Sequence, residues 1–258
     1  MKERGARMVK LFVVSDVHSY FTIMHNELKK NGFEENNPEH LLIVCGDVFD
    51  RGSESAEMFE YLNNLTNVVL IRGNHEDLLE EVWHRNYCMS YDQSNGTLRT
   101  INDIFYSHYD VEPYEPIRVS EKILKPFLDK MVNYFETKNY IFVHSFIALT
   151  NKDGLPMYYT RNRQFEFNPD WRNAHASEWE EARWGNPFDL ASKGFLPDKT
   201  LVFGHFHTSY ARNKFDGKPE FGDGADFSIY YGDGFIGIDG CTAHTGKVNV
   251  LVLEDEFI

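Results

Sequence analysis

Residues 41–45 form a run of five apolar side chains that leads straight into Gly46-Asp47-Val48-Phe49-Asp50-Arg51-Gly52. A continuous apolar run of this kind reads as a strand buried on both faces. Polar groups just past the carboxyl end of such a strand lie where open α/β sheets bind ligands. The pattern recurs along the chain. Residues 9–14 end in Ser15-Asp16-Val17-His18, and 68–71 end in Arg72-Gly73-Asn74-His75-Glu76. Residues 140–143 end in His144-Ser145, and 200–203 end in Gly204-His205-Phe206-His207.

Helical spacing over 20–31, 53–63 and 77–83 separates the first three strands and follows the third. Strand, polar tip and helix in alternation predict a mostly parallel sheet in a mixed α/β fold. Residues 84–137 interrupt the rhythm with helix-like stretches rich in aromatics: Tyr87, Tyr91, Phe105, Tyr106, Tyr109 and Tyr114. They read as an inserted helical cap or as a helical layer of the same domain. Residues 150–198 are loop-rich and carry Trp171, Trp179 and Trp184. Late strands are expected over 230–231, 235–239 and 247–253, antiparallel, with Thr245-Gly246 as a turn. No repeat, low-complexity tract or linker divides the chain, so one domain over 1–258 is expected.

The net charge of -14 repels nucleic-acid backbones, so nucleic acid is not an expected partner. It also repels phosphate esters, so a site for them needs local positive charge, which bound cations supply. Cys45, Cys88 and Cys241 lack CxxC spacing and are expected to be small buried hydrophobes in a reducing, cytoplasmic setting. Residues 11–14 are too short for the core of a secretion signal. No stretch approaches the ~20 apolar residues of a membrane helix, so no membrane association is expected.

Five strand ends therefore carry Asp16 and His18; Asp47, Asp50 and Arg51; Asn74 and His75; His144; and His205 and His207. Mixed oxygen and nitrogen donors suit borderline divalent metals better than calcium. There are too many ligands for one ion, and Asp47 is the natural bridge between two. Two metals ~3.5–4 Å apart activate water and neutralise a phosphoryl group. Arg51 and Arg72 offer planar guanidinium groups for bidentate phosphate contacts. His75 suits the role of general acid, with Asp50 holding its imidazole in the productive tautomer.

These ordered motifs resemble those of the calcineurin-like metallophosphoesterases. Gly46-Asp47-x-x-Asp50-Arg51-Gly52 and Arg72-Gly73-Asn74-His75-Glu76 are most similar to the phosphoprotein (serine/threonine) phosphatase branch. The resemblance implies a four-layer αββα sandwich. It implies two divalent ions, manganese first, with iron, zinc, cobalt or magnesium as alternatives. By the same resemblance one metal takes Asp16, His18, Asp47 and His207, and the other takes Asp47, Asn74, His144 and His205. Arg51 binds phosphate, Asp50 orients His75, and Arg183, beside Trp184, matches a phosphate-facing segment of the branch. Ile238-Asp239-Gly240 resembles the start of the family's closing hairpin. Ser15 and Ser19 stand where the branch usually has glycine, as in the wider superfamily.

The activity implied is hydrolysis of phosphomonoesters, on a phosphorylated protein or a small phosphoester, as in bacterial-type serine/threonine phosphatases. Symmetrical hydrolysis of dinucleoside polyphosphates, such as diadenosine tetraphosphate, is the alternative. Asp50 favours the first, because many such hydrolases carry Ala there. Base stacking on the aromatics of 84–114 favours the second. A non-catalytic metal-bound scaffold is the third class, and it has no use for an intact His75 and Arg51.

Overall fold

The computed structural model describes residues 8–108, 115–152 and 164–257. Tyr109 and Tyr114 of the aromatic segment lie outside them. Strand β1 (Met8–Val14) leads to helix α1 (Phe21–Lys30), β2 (His40–Cys45), α2 (Ser55–Asn64), β3 (Val68–Ile71) and α3 (Asn74–Arg85). Three helices follow: α4 (Ser90–Asn95), α5 (Thr97–His108) and α6 (Pro116–Leu128). Next come β4 (Tyr134–Glu136), β5 (Tyr140–Val143), β6 (Thr150–Asn151), β7 (Phe165–Glu166), α7 (Ala176–Ala182), α8 (Pro187–Ser192) and β8 (Thr200–Phe203). The chain closes with α9 (Thr208–Asp216), β9 (Tyr230–Gly232), β10 (Phe235–Gly237), α10 (Thr242–Thr245) and β11 (Leu251–Glu256).

The strands form two main sheets. One has the order β11-β1-β2-β3, the other β4-β5-β8-β10-β9. Pairs β1–β2, β2–β3, β5–β8 and β8–β10 are parallel, while β11, β4 and β9 add antiparallel edges. A small pair, β6–β7, stands apart.

Side-chain alternation places the layers. In the first sheet Phe12, Val14, Leu42, Val44 and Leu70 join a core shared with the helices, including Met24, Leu28, Leu62, Leu79 and Val82. Their alternates Leu11, Val13, Ile43, Cys45 and Ile71 meet Phe142, Val202 and Ile236 of the second sheet. The far face of that sheet presents Ile141, Val143, Leu201 and Phe203 to Trp179, Phe188 and Leu190 of the opposite helices. Both faces of every central strand are thus covered, which is why the runs are uninterruptedly apolar. The result is a mixed α/β sandwich, helices outside and two sheets within.

Ile101, Ile104, Leu124, Phe127 and Leu128 of α5 and α6 belong to the same core as α1–α3. Trp171 and Trp179 pack on Tyr134, with Trp179 stacked at 5.5 Å.

The chain end departs from expectation. Phe235–Gly237 and Leu251–Glu256 do not close a hairpin, because they lie in opposite sheets. Between them Cys241 takes φ +53 and α10 runs to Gly246, itself at φ +64, so Thr245-Gly246 is a helix end rather than a hairpin turn. β11 then pairs antiparallel with β1, Phe12 opposite Val252.

Candidate metal centre

The site forms where the carboxyl ends of both sheets meet. The loops leaving β1, β2, β5 and β8 and the first turn of α3 converge there. Among the described residues nine non-glycine residues have positive φ, and seven of them lie in these loops: Asp16, His18, Ser19, Asp47, Asp50, Arg51 and His205. Such conformations are costly for L-residues and collect where surrounding structure holds side chains in functional positions. Two glycines give the clearance. A Cβ at Gly73 would stand 2.2 Å from Asp47 Oδ1, and one at Gly204 would stand 2.1 Å from Asp16 Oδ2.

Asp47 is the hub. Its Oδ2 lies 3.7 Å from His18 Nε2 and 3.9 Å from His75 Nε2, while its Oδ1 lies 3.4 Å from His144 Nε2. The backbone N–H of His75 donates to Asp47 Oδ1 at 3.0 Å from the start of α3. Burial opposes its ionisation, but the surrounding histidines outweigh that and hold the carboxyl far below the ordinary range.

Two groups of ligand atoms, His18–Asp47–His75 and Asp47–His144–His205, each fit within a 4.8 Å span and share Asp47. His18 donates from Nδ1 to the Phe49 carbonyl at 2.9 Å, and its buried Nε2 has no protein partner. His144 donates from Nδ1 to the Cys45 carbonyl at 2.9 Å. Its Nε2 then faces Asn74 Oδ1 at 2.9 Å and His205 Nδ1 at 3.2 Å. Lone-pair atoms converge here, and a cation satisfies them all. Burial and nearby positive groups push His18 well below its usual pKa and His205 down to about 3, which favours the neutral, ligating imidazole. Asp16 accepts the His205 backbone N–H at 2.8 Å, and burial with the Asp47 charge pushes it up to about 6. These residues fit a pair of divalent ions: the donors are neutral imidazoles and buried carboxylates, and the orphaned Nε2 lacks only an electrophile.

Beside the hub His75 Nδ1 donates to Asp50 Oδ2 at 2.8 Å, and Arg51 Nη2 lies 3.2 Å from His75 Nε2. Burial opposes the imidazolium, but Asp47 and the bond to Asp50 outweigh it and raise the His75 pKa. Arg51 is exposed, and among the described residues its guanidinium has no carboxylate partner.

Glu76 is a further part of the site that the motifs did not mark with a role. Fully buried, it accepts the backbone N–H groups of Gly73, Asp47 and Val48 at 2.8, 3.0 and 2.9 Å. It fastens the β3 and β2 loops together. Its position three residues after Gly73, at the start of a helix, is a capping pattern readable in sequence. Ser15 is a second such residue, its hydroxyl reaching Asp16 Oδ2 and the Cys45 carbonyl.

Asp16, His18, Asp47, Asn74, His144, His205, His75, Asp50 and Arg51 are thus brought together, and three expected residues are not. His207 caps α9: its Nδ1 accepts the Tyr210 N–H at 3.3 Å, and its Nε2 faces Glu220 at 3.5 Å. Arg72 binds Asp77 at 2.7 Å and also Glu80. Arg183 is buried with two nitrogens on Asp77 at 2.6 and 3.0 Å and a third on Asn133 at 3.0 Å. Both arginines are held by acidic partners and lie apart from the Asp47 cluster. Trp184, the neighbour of Arg183, does reach the centre, its ring 6.5 Å from that of His205.

The family model for calcineurin-like phosphoesterases matches residues 9–219. The chain belongs to that family. The phosphoesterase therefore carries an enzyme fold whose members depend on a dinuclear metal site, and its two ligand groups on one aspartate accord with that. Its structure is similar to one provisionally named a diadenosine tetraphosphatase (12% identity, TM-score 0.52, covering 100% of this chain and 96% of that one). It is also similar to the cold-active protein-tyrosine phosphatase of a psychrophilic Shewanella species (15% identity, TM-score 0.52, 95% of this chain and 75% of that one). At these identities the likeness is one of fold. No curated protein matches the sequence. No helix among the described residues is long and apolar enough to cross a membrane.

Proposed function

We propose that this phosphoesterase hydrolyses phosphomonoesters, with phosphoserine or phosphothreonine in proteins as its substrate class. The observation that supports this most is the string Asp50–His75–Arg51 beside two ligand groups that share Asp47. Asp16, His18 and Asp47 would hold one divalent ion; Asp47, Asn74, His144 and His205 would hold the other. Bound there, the ions supply an activated water and neutralise phosphoryl oxygens.

The chain's own residues do the rest. Arg51 and His75 present donors to one point from adjacent loops. A phosphoryl oxygen set between them accepts from both. Asp50 holds Nδ1–H, so the mobile proton of His75 sits on Nε2, facing the substrate. As the P–O bond breaks, its electron pair stays on the leaving oxygen, which takes that proton. Water provides the entering oxygen.

A second reading, symmetrical hydrolysis of dinucleoside polyphosphates, draws on Tyr87 and Tyr106 of the aromatic segment, which are 56% and 59% exposed; aromatic side chains of this kind can stack on bases. The two readings separate in one assay. Protein stripped with chelator and restored with Mn²⁺ is offered a phosphoserine peptide, a phosphotyrosine peptide and diadenosine tetraphosphate. Phosphate released fastest from phosphoserine is the expected result. Faster ADP formation would move the assignment to nucleotide hydrolysis, and preference for phosphotyrosine would replace the residue class.

A further inference from the structure

Thr97 and Thr100 are fully buried polar residues on the first turn of α5, far in sequence from every site motif. Thr97 Oγ1 donates to Asp50 Oδ2 at 2.7 Å, and Thr100 Oγ1 donates to Asp50 Oδ1 at 3.0 Å. The Thr100 hydroxyl also accepts the Asp50 backbone N–H at 3.0 Å. With His75 Nδ1 at 2.8 Å on Oδ2, the buried carboxylate has a donor on each oxygen and two on one.

The same short segment holds the neighbouring backbone. Arg51 N–H donates to the Asn95 carbonyl at 3.1 Å, and Arg99 Nη1 donates to the Arg51 carbonyl at 2.9 Å. A Cβ at Gly96 would stand 2.3 Å from Arg51 N, so the chain passes as close as it can. Asp50 and Arg51 sit at φ +70 and +62, conformations that need such outside support.

We propose that Thr97 and Thr100 are positioning residues: through Asp50 they set the imidazole of His75 in line with the leaving oxygen. This rests on the reading of His75 as the acid. A carboxylate fixed by two hydroxyls cannot rotate about its own bond, so the lone pair that holds His75 Nδ1–H keeps one direction. Neither threonine belongs to the two ligand groups. Thr97 meets the site through the Asp50 carboxylate, whereas Thr100 also holds the Asp50 backbone N–H, so Thr97 gives the cleaner test of proton delivery.

The experiment compares leaving groups. p-Nitrophenolate departs without a proton; phenolate needs one. In the Mn²⁺-loaded protein, Thr97→Val and Thr100→Val are expected to slow phenyl phosphate hydrolysis about tenfold or more, with far smaller loss on p-nitrophenyl phosphate and unchanged metal content. Thr97→Ser and Thr100→Ser, which keep the hydroxyl, restore the rate. His75→Asn shows the same bias more strongly. Equal losses on both substrates, or serine variants as slow as valine ones, overturn the proposal in favour of a packing role. Thr97→Ala and Thr100→Ala, which cannot clash, supply the ratio if a valine variant does not fold. A bias in His75→Asn alone sinks this inference and spares the acid reading. No bias in His75→Asn sinks both.

Discussion

Arg51 and the pair Arg72 and Arg183 are the same residue type set near the same centre, yet their surroundings differ in kind. Arg51 is exposed at the tip of the β2 loop and meets an imidazole. Arg72 and Arg183 share Asp77 and are only about one-seventh and one-tenth exposed along their side chains. A guanidinium already bidentate to a buried carboxylate has its charge and fork occupied, and a phosphate would have to displace that partner. Availability for a substrate is decided by the nearest carboxylate, not by distance along the chain from a motif.

Three substitutions test the contrast. The largest effect is expected away from the arginines, at Asp47, which both ligand groups need. Asp47→Asn should abolish turnover and lower metal content per chain; metal content near two per chain with intact turnover would remove it from the role. Next comes Arg51→Ala, expected to cost about a hundredfold in kcat/KM with the melting temperature unchanged. Steady-state kinetics beside a thermal melt reads both, and a lost melting temperature with normal kcat/KM would reverse the comparison. The smallest effect on catalysis belongs to Arg183→Met. It leaves Asp77 with Arg72 alone and should cost about 1–3 kcal/mol of stability by urea titration, with activity per folded molecule unchanged. A selective rise in KM at full stability would return Arg183 to the substrate.

The strands were legible because burial on both faces leaves an unbroken apolar run, and residues 68–71 match β3 end for end. The candidate ligands stood out because each sits within a few residues of such a run. What failed did so for physical reasons. Periodicity alone gave one sheet where two exist, since a strand facing a second sheet and one facing a helix need the same side chains; the second layer came only from the family resemblance. His205-x-His207 looks like a ligand pair, but a positive φ at His205 turns the chain, and His207 serves the α9 end. Asp77, which occupies Arg183, lies 106 residues away, a distance no local pattern spans. Thr97 and Thr100, three apart on a helix, look like any small core positions. Their reason for being there is a carboxylate 47 and 50 residues earlier.

The span between partners at the centre has a consequence for how the molecule is made. Asp16 and His205 are joined across 189 residues, and His144 reaches Cys45 across 99. Closing loops of that size costs entropy before any contact repays it, so the centre is expected to complete only once distant parts of the chain have come together, as the β1–β11 pairing also requires. Fragments ending before residue 205 retain β1, β2 and β3 but lack the part that completes the ligand set. Cobalt, whose visible absorption depends on its ligands, offered to a refolding chain should change colour only after helical signal has returned.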